Sequence, residues 1–254
     1  ERNIIKLNQL PERGGLELWR GPSAFDGSPI VFIATLQTTN RKTGPMIQTW
    51  ILRQDLLPID AVKSDDDTSI CGECPHRGST CYVNVGQAPQ QIWKSWQRGN
   101  YRQVSPADFA RHYAEYRSLR LGSYGDPAMI PLDVLDELMA VKWRGNTGYT
   151  HQWKWCDRGY RKYLMASVET LAEKDFANEL GYRTFRILTP AQDRNSDEIL
   201  CPASDEGGKR TTCERCRLCS GATGIRKNIS IYVHGRSAKR YVKTQEAACA
   251  SALN

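Results

Sequence analysis

Residues 163–188 read YLMASVETLAEKDFANELGYRTFRIL. YLMASV (163–168) and YRTFRIL (182–188) are runs of strand length, and TLAEKDFANELG between them is an amphipathic helical pattern. A strand, a helix and a second strand in this span imply a right-handed crossover and parallel neighbours. The alternation continues on both sides. Strand-like runs recur at LRLGSY (119–124), TGYTHQW (147–153), EILC (198–201) and ISIYV (229–233), and PLDVLDELMAVKW is a further amphipathic helix. The expected fold is therefore α/β, a complete or partial TIM-like β/α barrel over residues 70–236. An N-terminal β-rich extension (1–69) precedes it and a C-terminal tail (237–254) follows. Within the extension, PIVFIATLQ and PMIQTWIL are β-rich runs around TTNRKTG, which predicts an antiparallel pair over residues 30–52. Residues 1–28, crowded with Gly and Pro, read as an irregular lead-in.

A chain of 254 residues is long enough to bury a sizeable core, and 40% hydrophobic with 25% charged residues excludes a disordered protein. No apolar run approaches a membrane span, and ERNIIKLNQL lacks the apolar core of a secretory signal, so a cytoplasmic location is expected. The formal charge of +7 favours a polyanionic partner. The run Asp65, Asp66, Asp67 reads as a solvated loop.

In a reducing compartment the nine cysteines should be free, and seven of them fall into two groups. SICGECPHRGSTCYVNVGQ holds Cys71, Cys74 and Cys81 at C-x2-C-x6-C, on a loop that feeds the strand-like YVNV. Three thiols in such an arc leave one ligand position open, for which His76 is a candidate. The second group lies in CPASDEGGKRTTCERCRLCSG, where Cys213, Cys216 and Cys219 form C-x2-C-x2-C and Cys201 precedes them next to Pro202. Sulfurs one helical turn apart can converge on zinc or on a [4Fe-4S] cluster. Spacing favours Cys201 as the fourth ligand, with His234 as the alternative. Cys156 and Cys249 fall outside both groups.

In β/α architectures functional groups gather where strands end and loops begin. That rule brings together Asp126 after LRLGSYG, His151 and Gln152 at the end of the next strand, Glu169 after YLMASV, Cys201 after EILC and His234 after ISIYV. Asp126 is a candidate nucleophile or base, or else a helix cap; Glu169 is a candidate base or a first-turn helix acid; His151 is a candidate proton shuttle. Aromatic and basic residues interleave at Trp93, Lys94, Trp96 and Arg98, and again at Trp153, Lys154, Trp155 and Arg158. Such sets can stack on unpaired bases and hold phosphates, although tryptophans at helical spacing also build cores.

CGECPHRGSTCYVNVG, the Gly-Asp of GSYGDP, and CPAS with CERCRLCSG together resemble a group of phage- and plasmid-borne cysteine-rich proteins. More distantly they resemble the transglycosylases that exchange guanine for a 7-deazaguanine in tRNA or phage DNA. That resemblance implies a β/α barrel, a zinc site using Cys213, Cys216, Cys219 and His234, and Asp126 as catalytic aspartate. The expected activity is base exchange on a nucleic acid, DNA favoured over RNA. A flipped guanine would be attacked through Asp126 and replaced by a 7-deazaguanine-type small molecule, with Glu169 or His151 moving protons. The early cysteine arc is also similar to radical S-adenosylmethionine enzymes with an auxiliary iron–sulfur centre, in which case S-adenosylmethionine joins the cofactors. A zinc protein that only binds nucleic acid is the third reading.

Overall fold

The computed structural model describes residues 10–222 and 227–251, with side chains up to residue 247. The elements run β1 (Gly15–Pro22), β2 (Pro29–Thr35), β3 (Ile47–Arg53), α1 (Pro58–Lys63), α2 (Thr68–Cys71), α3 (Ala88–Gln97), β4 (Arg102–Gln103), α4 (Pro106–Tyr113), β5 (Ser118–Tyr124), α5 (Leu132–Met139), β6 (Gly145–Thr147), β7 (Tyr149–Thr150), β8 (Met165–Val168), α6 (Leu171–Glu179), β9 (Thr184–Leu188), β10 (Glu198–Leu200), α7 (Cys213–Cys216), β11 (Asn228–Tyr232) and α8 (Ala238–Ser251). Among the described residues no helix is long and apolar enough to cross a membrane.

Two sheets carry the fold, in the orders β4-β1-β2-β3-β5-β6 and β10-β11-β9-β8-β7. The expected antiparallel pair forms, with Ile33 opposite Trp50 and Val31 opposite Leu52. All of β3 is buried, and so is β2 apart from its end residues, as expected of strands covered on both faces. From β3 onward the pairing is parallel: β3 with β5, β5 with β6, then β7 with β8, β8 with β9, β9 with β11 and β11 with β10. The extension and the region after residue 70 thus share one sheet.

Neither sheet closes, which corrects the expectation of a complete barrel. The run of strands ends at two-residue β4 on one side and three-residue β10 on the other, and these edges do not pair with each other. The two sheets meet instead at Gly148, the single residue between β6 and β7. Its amide donates to the Cys219 carbonyl (3.2 Å), while its own carbonyl accepts from Met165 N (2.9 Å).

Four local expectations also need correction. Residues 15–22 form β1 rather than an irregular lead-in, because the glycines there make room for aromatic rings. A Cβ on Gly15 would sit 2.7 Å from Tyr101, and one on Gly21 would sit 2.4 Å from Trp19. YVNV (82–85) is irregular instead of a strand, and Tyr82 is largely exposed. The acidic run is only partly solvated: Asp67 is buried and accepts from Arg77 Nε (3.1 Å) and Nη2 (2.9 Å). Much of the segment expected as a tail forms α8 (Ala238–Ser251), which docks on the first cysteine loop. There Ser237 Oγ donates to the Cys81 carbonyl (3.1 Å) and Arg240 Nη1 to the Ser79 carbonyl (3.1 Å).

Gly148→Ala tests the sheet junction. Its Cβ would meet Leu164 Cδ2 at 2.5 Å and Leu121 Cβ at 3.1 Å. Both leucines are fully buried, so the substitution should cost about 1–3 kcal/mol through overpacking, read as a lower urea midpoint. A wild-type midpoint would mean that the two sheets have slack at this junction.

Candidate metal centre

The first thiol arc hangs from the C-terminus of α2. Gly72 caps this helix at φ +54°, and its missing Cβ leaves space for the Gln152 amide, which would otherwise lie 2.4 Å away. Successive turns then fold the loop back on itself: Cys74 N donates to the Cys71 carbonyl (3.2 Å), Arg77 N to the Cys74 carbonyl (3.2 Å) and Cys81 N to the His76 carbonyl (2.9 Å). Gln152 clamps the arc from the opposite wall. Its Nε2 donates to the Cys71 carbonyl (2.8 Å), and its Oε1 accepts from Glu73 N (3.0 Å).

Asp126 lies directly behind this clamp. Its Oδ1 accepts from Ala128 N (3.0 Å), capping the 3₁₀ turn at Pro127–Met129. Its Oδ2 accepts from His151 N (2.8 Å) and Gln152 Nε2 (3.2 Å), and its amide donates to the Ile70 carbonyl (2.7 Å). Of the two roles read from the sequence, the structure displays the cap. Burial pushes the Asp126 carboxyl up, against hydrogen bonds and the His151 charge that favour its ionised form.

Glu169 is not the first-turn acid of α6. Thr170 caps that helix by accepting from Glu173 N, and Glu173 Oε2 accepts in turn from Glu169 N (3.0 Å). The Glu169 carboxylate is thereby free to face two imidazoles. Its Oε1 lies 3.0 Å from His76 Nε2 and 3.5 Å from His151 Nε2. Burial opposes ionisation of Glu169, but its imidazole neighbours His151 and His76 hold the carboxyl well below its usual range. His151 is pushed well above its usual value: burial works the other way, and the Cys74 thiol and Glu169 outweigh it.

The second set is built around β10 and α7. Cys201 follows β10 and donates its amide to the Ser230 carbonyl (2.8 Å) on β11. Gly207 packs so tightly on it that a Cβ would lie 2.0 Å from the Cys201 carbonyl oxygen. Cys213 and Cys216 stand one turn apart on α7. Arg217 ends that helix in the left-handed region at φ +56°, turning the chain toward Cys219. Burial pushes the Cys219 thiol up to about 12 and raises Cys213 and Cys216, and charge on Cys201 raises all three further. In the first arc burial likewise pushes Cys71 well above its usual value and raises Cys81. A bound cation reverses that preference, since it takes thiolate as its ligand.

All seven cysteines line one cavity of about 430 Å³. The strand-end residues Asp126, His151 and His234 line it too, whereas Gln152 and Glu169, expected on the same rim, are not among its lining residues. Among the described residues, no three of these sulfurs lie within 4.8 Å of one another. A single zinc with four thiolates at about 2.3 Å needs sulfurs about 3.8 Å apart, whereas a multi-iron cluster spreads its ligands more widely. His234 is exposed; its Nδ1 lies 3.0 Å from the Tyr232 carbonyl and its Nε2 3.2 Å from Lys42 Nζ. Cys201, by contrast, is buried among the other thiols, which suits it better as fourth ligand.

The aromatic and basic sets are spent elsewhere. Trp96 and Trp153 are buried and donate to Glu17 Oε2 (2.6 Å) and the Ser167 carbonyl (3.0 Å), while Trp93 Nε1 donates to the Arg53 carbonyl (2.8 Å). The rings of Trp96 and Trp153 cannot stack on a base, because helical and turn spacing has placed them in the core. Trp155 is 40% exposed but packs on Phe25, Lys154 pairs with Glu173, and Arg158 bonds the Trp153 carbonyl. Lys94 is half-buried on α3 and Arg98 is exposed at its C-terminal cap, and neither lines the cavity. Of the two further cysteines, Cys156 is buried 3.4 Å from the Tyr182 hydroxyl, and the Cys249 side chain lies outside the described residues. Arg120, absent from the sequence expectations, also lines the cavity; only its place on a strand leading to the rim could have singled it out. Comparison with protein-family models, with curated proteins and with solved structures produced no match.

Asp126→Ala would strand the His151 and Ala128 amides and one Gln152 donor in a buried place. The expected cost is about 2–4 kcal/mol, with Asp126→Asn losing less because one acceptor oxygen remains. Urea unfolding of the two variants checks this, and equal midpoints for Ala and wild type would remove Asp126 from the framework of the site.

Proposed function

We propose that the protein is an iron–sulfur enzyme with two centres facing one substrate cavity. Cys71, Cys74 and Cys81 hold the first and leave one coordination position open; Cys201, Cys213, Cys216 and Cys219 hold the second. The observation that carries this reading is that two cysteine loops far apart in sequence line the same cavity. Among the described residues no three of these sulfurs lie within 4.8 Å of one another, an arrangement that a multi-iron cluster accommodates more readily than a single zinc ion.

Bound clusters would supply one-electron chemistry that no side chain here can supply. The chain's own residues shape the space. Asp126 and Gln152 fix the first arc, the second set is anchored on the ends of β10 and β11, and Ile229 and Ile231 give the cavity an apolar wall. The open position of the three-thiol centre suits a small-molecule ligand, for which S-adenosylmethionine is the candidate. The parallel run from β3 to β10, covered by helices and open at both edges, is in this reading a partial β/α barrel. Base exchange on a nucleic acid has less support: both Asp126 oxygens are committed to hydrogen bonds, and the tryptophans expected to stack on bases lie mostly in the core.

Anaerobically purified protein should be brown and contain iron and acid-labile sulfide in roughly equal amounts, about four irons per centre. Cys216→Ser should lose the iron of the second centre and keep that of the first, and Cys74→Ser should do the reverse. S-adenosylmethionine should perturb the electron paramagnetic resonance of the reduced protein in Cys216→Ser and not in Cys74→Ser. A colourless protein with stoichiometric zinc would overturn the proposal. Labelled guanine entering DNA in that case would point to base exchange, and its failure to enter would leave a binding protein.

A further inference from the structure

We propose that His76, His151 and Glu169 form a separate site for a divalent first-row transition-metal ion, distinct from both thiol centres. One nitrogen from each imidazole and one carboxylate oxygen lie within 4.8 Å of one another, and this is the one such group of potential ligands among the described residues. The spacing is that of ligands on a single ion. Bonds of about 2.1 Å put neighbouring ligand atoms about 3.0 Å apart in an octahedron and about 3.4 Å apart in a tetrahedron. The observed separations from Glu169 Oε1 are 3.0 Å to His76 Nε2 and 3.5 Å to His151 Nε2.

A plain hydrogen-bonded network accounts for only half of this arrangement. His76 is satisfied without a metal, but His151 Nε2 is buried and has no hydrogen-bond partner. At 3.5 Å from the shared oxygen it makes only a long ion-pair contact. An ion between the three groups gives that nitrogen a close partner and takes over the positive charge that the imidazoles otherwise supply to the buried carboxylate. His76 also has the orienting contact that metal-bound histidines show. Its Nδ1 lies 2.7 Å from Thr80 Oγ1, which fixes the ring and leaves Nε2 facing Glu169. The Tyr241 ring of α8 packs against His76 with centroids 5.5 Å apart and limits its movement.

Two imidazoles and one carboxylate leave coordination positions free, and both histidines line the cavity. The ion can therefore hold a water or a substrate oxygen beside the thiol centres, as a Lewis acid. This inference does not depend on the iron–sulfur reading, because none of its ligands is a cysteine.

Manganese(II) is the probe, since it prefers nitrogen and oxygen ligands to thiolates. Full-length protein, purified anaerobically and stripped of loosely bound metal, is titrated with Mn(II), and free ion is followed by electron paramagnetic resonance. The expected result is one Mn(II) per chain. Glu169→Gln, nearly the same size as the native residue, should weaken binding more than tenfold, and Thr80→Val should weaken it about tenfold or more through loss of the orienting contact. Mn(II) should also raise the melting temperature of wild type and not of Glu169→Gln, which separates metal binding from a folding defect in the variant. Absence of Mn(II) binding in wild type, or equal binding in Glu169→Gln, would overturn the site. Iron and sulfide measured on the same samples report separately on the thiol centres, so a colourless protein that still binds Mn(II) here would sink only the iron–sulfur reading.

Discussion

One buried carboxylate fixes where the first cysteine loop sits. Asp126 holds the end of β5 by capping its own turn and the end of β7 through the His151 amide, and it holds Gln152 through the side-chain amide. Gln152 in turn holds the Cys71 carbonyl. The arc has no regular structure between Gly72 and Cys81 beyond turns, so nothing in its own backbone sets its distance from the sheet. The chain of bonds from β5 through Asp126 and Gln152 sets it. A carboxylate suits this place better than an amide because it accepts on both oxygens and offers no donor that would need a partner of its own.

The thiols impose a second constraint. Most of those lining the cavity are pushed toward the neutral form by burial, and their mutual repulsion as thiolates pushes in the same direction. A set of buried cysteines that served only as packing would be expected to turn to apolar neighbours at unrelated depths. Here they face one space from two walls, and the backbone accepts unusual geometry to bring them there: φ +54° at Gly72, φ +56° at Arg217, and a carbonyl pressed against Gly207. Such local cost is understandable where convergence of the sulfurs is itself what the site requires.

Much of this was legible in the sequence, and the parts that were not share a physical reason. Strand runs and cysteine spacing are local signals, so β5, β8, β9, β10 and β11, much of their shared rim and the two thiol groups could all be read directly. Roles that depend on partners distant in the chain could not. Glu169 and His76 are 93 residues apart, and nothing local distinguishes a glutamate that faces an imidazole from one that serves a helix terminus. Trp96 and Trp153 show the converse: an aromatic beside a lysine has the same sequence pattern whether its ring is buried or offered to a ligand, and only the neighbours decide. The strand β1 was hidden because its glycines, which weaken strands in general, are here required by the rings of Tyr101 and Trp19.

The open architecture explains how the two cysteine loops come to share a cavity. In a closed barrel the loops at the strand ends ring one mouth at fixed angular steps. Here the strands form two sheets joined through Gly148, and that residue's amide bonds the Cys219 carbonyl directly. The junction between the sheets is thus also an anchor of the second thiol set, while β7, immediately after it, leads to His151 and Gln152, which anchor the first. A short segment, residues 148–152, therefore ties both sets to the same point of the fold. Their relative position is set by this backbone connection more than by the loops on which the cysteines themselves lie.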